Sequence, residues 1–110
     1  MTYSVHVTLQ AERDMDNAAD YIAFTLLNPS AAYNLLVYAK ETLNSLELNP
    51  ERNRIVDDPL LFSWGIRLMI IKNYLAFYVI DEKNKTVHII RLLYKKRNWL
   101  HILKQGFSLE

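Results

Sequence analysis

Residues 65–94 read GIRLMIIKNYLAFYVIDEKNKTVHIIRLLY, and this run decides the fold. Three strand-forming stretches, 65–72, 74–81 and 86–94, are separated by Lys72-Asn73 and by Glu82–Lys85. Both separators are short and polar, as hairpin turns require. The stretches are therefore expected to fold back on one another as an antiparallel meander. The middle one, Tyr74 to Ile80, is apolar on both sides, which marks a central strand covered on both faces. In the first stretch Ile66, Leu68 and Ile70 share one side, and Gly65, Arg67, Met69 and Ile71 the other. The first side is expected to meet the covering helices, and Arg67 to look out of the opposite, concave face.

Upstream, TYSVHVT (2–8) alternates, with Tyr3, Val5 and Val7 on the apolar side: a half-buried strand. After Thr8, the residues Met15, Ala18, Ala19, Ile22 and Leu26 recur at helical spacing, and the early Glu12, Asp14 and Asp16 favour the positive end of a helix dipole. Thr8 or Gln10 lies near the cap, and Asp14, Asp16 and Asp20 fall where a solvated helix face is expected. Asn28-Pro29 closes this helix and opens a second, because Asn caps well and Pro is preorganised at the first helical position. The second stripe, Ala32, Leu35, Leu36, Ala39, Leu43 and Leu46, runs to about Leu48 and stops at Asn49-Pro50. So short a connection makes the two helices antiparallel neighbours. Residues 51–64 show no clean period and read as a connecting loop, with a short irregular strand around Ile55-Val56. Downstream, Trp99, Ile102 and Leu103 support a short C-terminal helix or tail ending at Gly106. The expected fold class is α+β: an N-terminal strand, an antiparallel two-helix hairpin packed on a mostly antiparallel sheet of about four strands, and that terminal piece.

The length of 110 residues suits a single domain over 1–110, with Leu109-Glu110 read as a cloning remnant. No cysteine is present, which excludes a disulfide scaffold and thiolate metal sites. There is no apolar run of membrane-spanning length and no basic-then-apolar leader, so a cytoplasmic location is expected. His6, His88 and His101 are scattered without metal-ligand spacing, and no glycine-rich phosphate loop appears; neither a metal nor a cofactor is expected. The net charge of +1 hides an asymmetry. Residues 1–50 carry two cations against six carboxylates, and residues 51–110 eleven cations against six. A basic half suggests one face for a polyanion or an acidic partner.

Arg91 lies mid-strand with Val87, Ile89 and Leu93 on the same alternation. An unpaired guanidinium there costs several kcal/mol to desolvate, so it needs a partner. One reading places Arg67 and Arg91 together on the concave face, where a phosphate would relieve their repulsion and match their planar forks. The other pairs Arg91 with Asp81, Glu82 or a helix carboxylate. Tyr94, Lys95, Lys96, Arg97 and Trp99 follow at the strand end; cations track a phosphate backbone and aromatic rings stack on bases, although such groups also serve as rim packing and solvated strand ends.

The ordered set Thr8, Ala11, Asp14, Tyr21-Ile22, Asn28-Pro29-Ser30-Ala31-Ala32, Leu46-Glu47-Leu48-Asn49-Pro50, Gly65-Ile66-Arg67, Asn73-Tyr74, Phe77-Tyr78, Ile89-Ile90-Arg91, Tyr94 and Arg97-Asn98-Trp99 resembles the RelE/ParE superfamily of bacterial type II toxin–antitoxin modules. The resemblance implies a small α+β toxin held inactive by a cognate antitoxin, with operator DNA reached only through that antitoxin. It implies two mechanisms. RelE-like members cut mRNA on the ribosome without a metal; ParE-like members poison DNA gyrase. The leading expectation is RelE-like: attack of a ribose 2′-OH on the adjacent phosphate. Arg67 and Arg91 would stabilise charge, Tyr94 would act as base or base-stacker, and Lys96 or Arg97 would serve the leaving oxygen. Arg52, Arg54, Lys95 and Trp99 would hold RNA. The alternative is a gyrase inhibitor without chemistry of its own, with Arg91 structural and the segment from Tyr94 to Phe107 as docking surface. A third is a domain that binds only its antitoxin.

Overall fold

The computed structural model describes residues 2–110. Strand β1 (Ser4–Val7) leads through Thr8 into helix α1 (Leu9–Asp20), which continues as a π-helical turn, Tyr21–Thr25. Helix α2 (Pro29–Asn44) ends in a 3₁₀ turn, Ser45–Glu47. After a second such turn (Pro50–Arg52) come helix α3 (Pro59–Ser63), strands β2 (Arg67–Ile71), β3 (Tyr74–Asp81) and β4 (Thr86–Tyr94), and helix α4 (Trp99–Lys104). The sheet order is β1-β4-β3-β2; β1 runs parallel to β4 and the other pairs are antiparallel. The α+β class and the hairpin-on-sheet plan are as the sequence indicated.

Local chemistry explains the element ends. The Thr8 hydroxyl caps α1 by accepting from the Ala11 amide and donates to the Ile89 carbonyl, tying helix start to sheet. Asn28 caps α2 through the Ala31 amide, with Pro29 in the first turn. Asn49 takes left-handed backbone (φ 55°), a conformation Asn tolerates, and Pro50 prevents the helix from continuing.

Two apolar cores sandwich the sheet. The first lies beneath the helical hairpin and holds Ala11, Ala39, Leu43, Leu46, Met69, Ile71, Tyr78, Val87, Ile89 and Leu92. The second lies on the opposite face and joins Val56, Leu61, Ile66, Phe77, Ile90, Leu93 and Leu103. This corrects the expected facing of β2. Ile66 and Leu68 turn away from the hairpin to meet α3 and α4, Met69 and Ile71 turn toward it, and Ile70 stays 67% exposed on the edge strand. The cause is the covering layer from residues 56–63 and 99–107, which occupies the face expected to be open. Residues 51–64 are thus more than a loop. Asp58 accepts from the Leu60 and Leu61 amides and Pro59 starts α3, a cap signal legible in the sequence. The irregular pairing near Ile55 is present as a bridge to Arg67.

A β-bulge breaks the alternation of β4. Phe77 pairs with Arg91 but Tyr78 with Ile89, so Ile90 is the extra residue. Ile89 and Leu92 consequently reach the first core, while Ile90 and Leu93 reach the second. The expected grouping of Leu93 with Val87 and Ile89 fails at this point.

Candidate functional site

Arg91 is held by Asp14 of α1. Its Nε donates to Oδ2 at 2.7 Å and one terminal nitrogen to Oδ1 at 3.0 Å, a bidentate fork. The carboxylate also accepts from the Leu92 amide at 3.0 Å and from the Gln10 side chain at 3.2 Å. The side chains are 20% and 6% exposed, so the pair is largely desolvated. Asp14, read as part of a solvated face, is one of two buried polar residues among those described; the other is Thr8.

Arg67 is also engaged. One terminal nitrogen donates to the carbonyls of Asn53 at 2.6 Å and Glu51 at 3.2 Å. Its cross-strand neighbour Tyr78 reaches the same segment: the phenol donates to the Pro50 carbonyl at 2.6 Å and accepts from the Asn53 side chain at 3.1 Å. Burial raises the Tyr78 pKa, keeping the phenol a donor. Arg67 and Arg91 flank β3 at adjacent register positions, about 10 Å apart across two strand spacings. The expectation of two unpartnered guanidiniums converging on one hollow is therefore corrected: a carboxylate takes one and backbone carbonyls take the other.

Arg52 donates to the carbonyls of Ser45 and Leu48 and to the Ser45 hydroxyl, neutralising the carbonyl-rich end of α2. Arg54 is exposed and lines a shallow depression with Arg52, Thr42 and Ile70. Trp99 packs its ring on Phe77, centroids 5.3 Å apart, as part of the second core.

The strand end is different. Tyr94 is 38% exposed and meets Tyr74 edge-on, ring centroids 5.6 Å apart. Lys95, Lys96 and Arg97 follow in a turn closed by Lys95 N–H to the Asn73 carbonyl and Arg97 N–H to the Tyr94 carbonyl, and all three side chains are exposed. Tyr94 and Arg97 line a cleft of about 660 Å³ with Tyr21, Ile22, Leu26 and Tyr74, and Asp14, the partner of Arg91, borders it too. Burial raises the Tyr74 pKa, so that ring too stays neutral. The site is thus an amphipathic cleft between the hairpin tip and the ends of β3 and β4, with Arg97 on its wall and Lys95 and Lys96 in the adjoining exposed turn. The structure brings together Tyr94 and Arg97, and leaves Arg52, Arg54, Arg67 and Arg91 outside the cleft. Sequence reasoning missed the hairpin-tip wall; its signal was the uncharged run from Tyr21 to Ala39.

A family model described as the ParE toxin of the type II toxin–antitoxin system parDE matches residues 5–99. The chain belongs to this ParE toxin family. Solved structures give the same fold. The chain is similar to the chromosomal ParDE system from P. aeruginosa, with TM-score 0.70, 20% identity, and coverage of 84% of this chain and 96% of that one. It is also similar to RelBE2 from Mycobacterium tuberculosis (TM-score 0.59, 22% identity, coverage 88% and 95%). A third is the archaeal RelE–RelB complex from Pyrococcus horikoshii OT3 (TM-score 0.51, 18% identity, coverage 88% and 99%). No curated protein sequence matches. The ParE family match moves the leading expectation from the RelE-like to the ParE-like branch. Among the described residues, no helix is long and apolar enough to cross a membrane.

Proposed function

We propose that this ParE-family toxin acts by docking on a protein target, DNA gyrase in the ParE-like manner, and not by cutting RNA. The observation that carries the reading is the bidentate Arg91–Asp14 pair. A guanidinium whose charge is already matched by a buried carboxylate, with Nε and one terminal nitrogen engaged, attracts a scissile phosphate less than an unpaired one, and turning its paired edge to that phosphate would leave the carboxylate uncompensated. Arg67 is oriented away from a shared hollow by one terminal nitrogen bonded to two carbonyls. The docking surface is the exposed Tyr94–Arg97 turn and its cleft; Trp99, Ile102, Leu103 and Phe107 pack against the second core and do not extend it. A cognate antitoxin is the second partner, and structures similar to this chain are toxin–antitoxin systems. It would offer acidic and apolar groups to the same turn and cleft, in the cytoplasm.

The test is induction in cells with two readouts. Gyrase-dependent DNA breaks without ribosome-positioned mRNA cuts are expected. Positioned mRNA cuts that vanish in a folded Arg67→Ala variant would overturn the reading in favour of RelE-like catalysis.

A further inference from the structure

One close contact between ionisable groups plays no part in the docking surface. His6 on β1 and His88 on β4 are register partners in the parallel pair. Their Nδ1 atoms lie 3.0 Å apart, with the ring planes nearly perpendicular at 89°. At that distance one nitrogen must carry the hydrogen and the other accept it. Val5, Val7, Val87 and Ile89 point into the first core, so the imidazoles project from the opposite face.

We propose that this pair is an acid-sensitive latch, which holds β1 on the sheet while it carries no more than one extra proton and releases the strand when both rings are charged. A neutral pair shares one N–H···N bond, and a singly protonated pair keeps it. A second proton sets two N–H groups against each other at 3.0 Å and turns the bond into repulsion. From β3, Asp81 faces the pair, its Oδ2 4.0 Å from His88 Nε2. The Asn84 amide and side chain hold Asp81 ionised, and its pKa lies below the usual carboxylate value. The register neighbours Ser4, Thr86 and Val79 carry no charge. Burial, then the charge of His6, push His88 below the ordinary imidazole value against the opposing pull of Asp81.

A depressed folded pKa gives stability that is full above the unfolded value and is lost as pH falls through the folded one. Asp58, Asp81 and Glu82 have lowered pKa values and remain charged through that range. The strand at stake is short and lies at the edge of the sheet. Beyond the β4 ladder, its flanking ties are Tyr3 N–H to the Glu47 carbonyl, Ser4 N–H to the Lys85 carbonyl, Thr8, and the Tyr3 phenol donating to Glu82.

Amide exchange of the full chain, corrected for intrinsic pH dependence, tests the latch. Between about pH 7.5 and about pH 5, protection of residues 5–7 should fall about tenfold or more relative to residues 77–79. A His6→Gln/His88→Gln variant should show no such relative fall. Should that variant fail to fold, the imidazole ¹⁵N shifts of the unaltered protein decide: a coupled titration whose second step is depressed supports the latch. Two independent, ordinary imidazole titrations, or equal loss of protection in β1 and β3, would overturn it.

Discussion

Strand β4 carries one arginine in its body, and its end runs into three more cations, and the two groups live in opposite worlds. Arg91 sits under α1 with Nε and one terminal nitrogen on one buried carboxylate. Lys95, Lys96 and Arg97, a few residues on, stand in solvent, and Arg97 lines the amphipathic cleft. Residue type alone does not separate them. What separates them is Asp14: a partner 77 positions away in sequence turns an apparent anion ligand into a structural clamp between helix and sheet. Cations that hold the fold and cations proposed to meet a partner should therefore respond to mutation in opposite ways.

The largest contrast is expected at the clamp. Asp14→Ala leaves the guanidinium uncompensated and the Leu92 amide without an acceptor, and should cost about 3–5 kcal/mol in urea unfolding. A cost near zero would erase the distinction. Next comes the anchor of the 50–53 segment: Tyr78→Phe leaves the Pro50 carbonyl and the Asn53 side chain without a buried partner and should cost about 1–2 kcal/mol. A smaller effect is expected from Thr8→Ala, about 1 kcal/mol for the cap, visible as earlier thermal melting. The smallest belongs to the exposed turn. Lys95→Ala, Lys96→Ala and Arg97→Ala together should change stability by less than about 0.5 kcal/mol, as exposed substitutions do. The same triple variant should weaken antitoxin binding, and the salt dependence of that binding should shrink with it.

Much of the fold was legible because its signals are local. Asn28-Pro29 and Asn49-Pro50 mark helix ends, and the strands 74–81 and 86–94 match their sequence limits. What escaped is non-local. The bulge at Ile90 adds one residue and moves Leu92 and Leu93 to faces that strict alternation forbids. The facing of β2 was inverted because it is apolar on both sides, so periodicity cannot choose between two cores. Asp58-Pro59 carried a cap signal for α3, but five helical residues are too few to show a period. At the candidate site, a helix carboxylate was among the named partners for Arg91, yet nothing local singles out Asp14 from Asp16 and Asp20. Its burial is decided by how α1 lies on β4.

Arg91 is proposed to stabilise the toxin and to take no part in its action. The most direct measurement is growth arrest by an Asp14→Asn/Arg91→Gln variant, which removes both charges while the substituted amide oxygen can still accept from the Leu92 amide. With folding verified by circular dichroism and urea titration, arrest equal to that of the unaltered protein is the expected result. A folded double variant that no longer arrests growth would contradict the account and return Arg91 to the reacting centre.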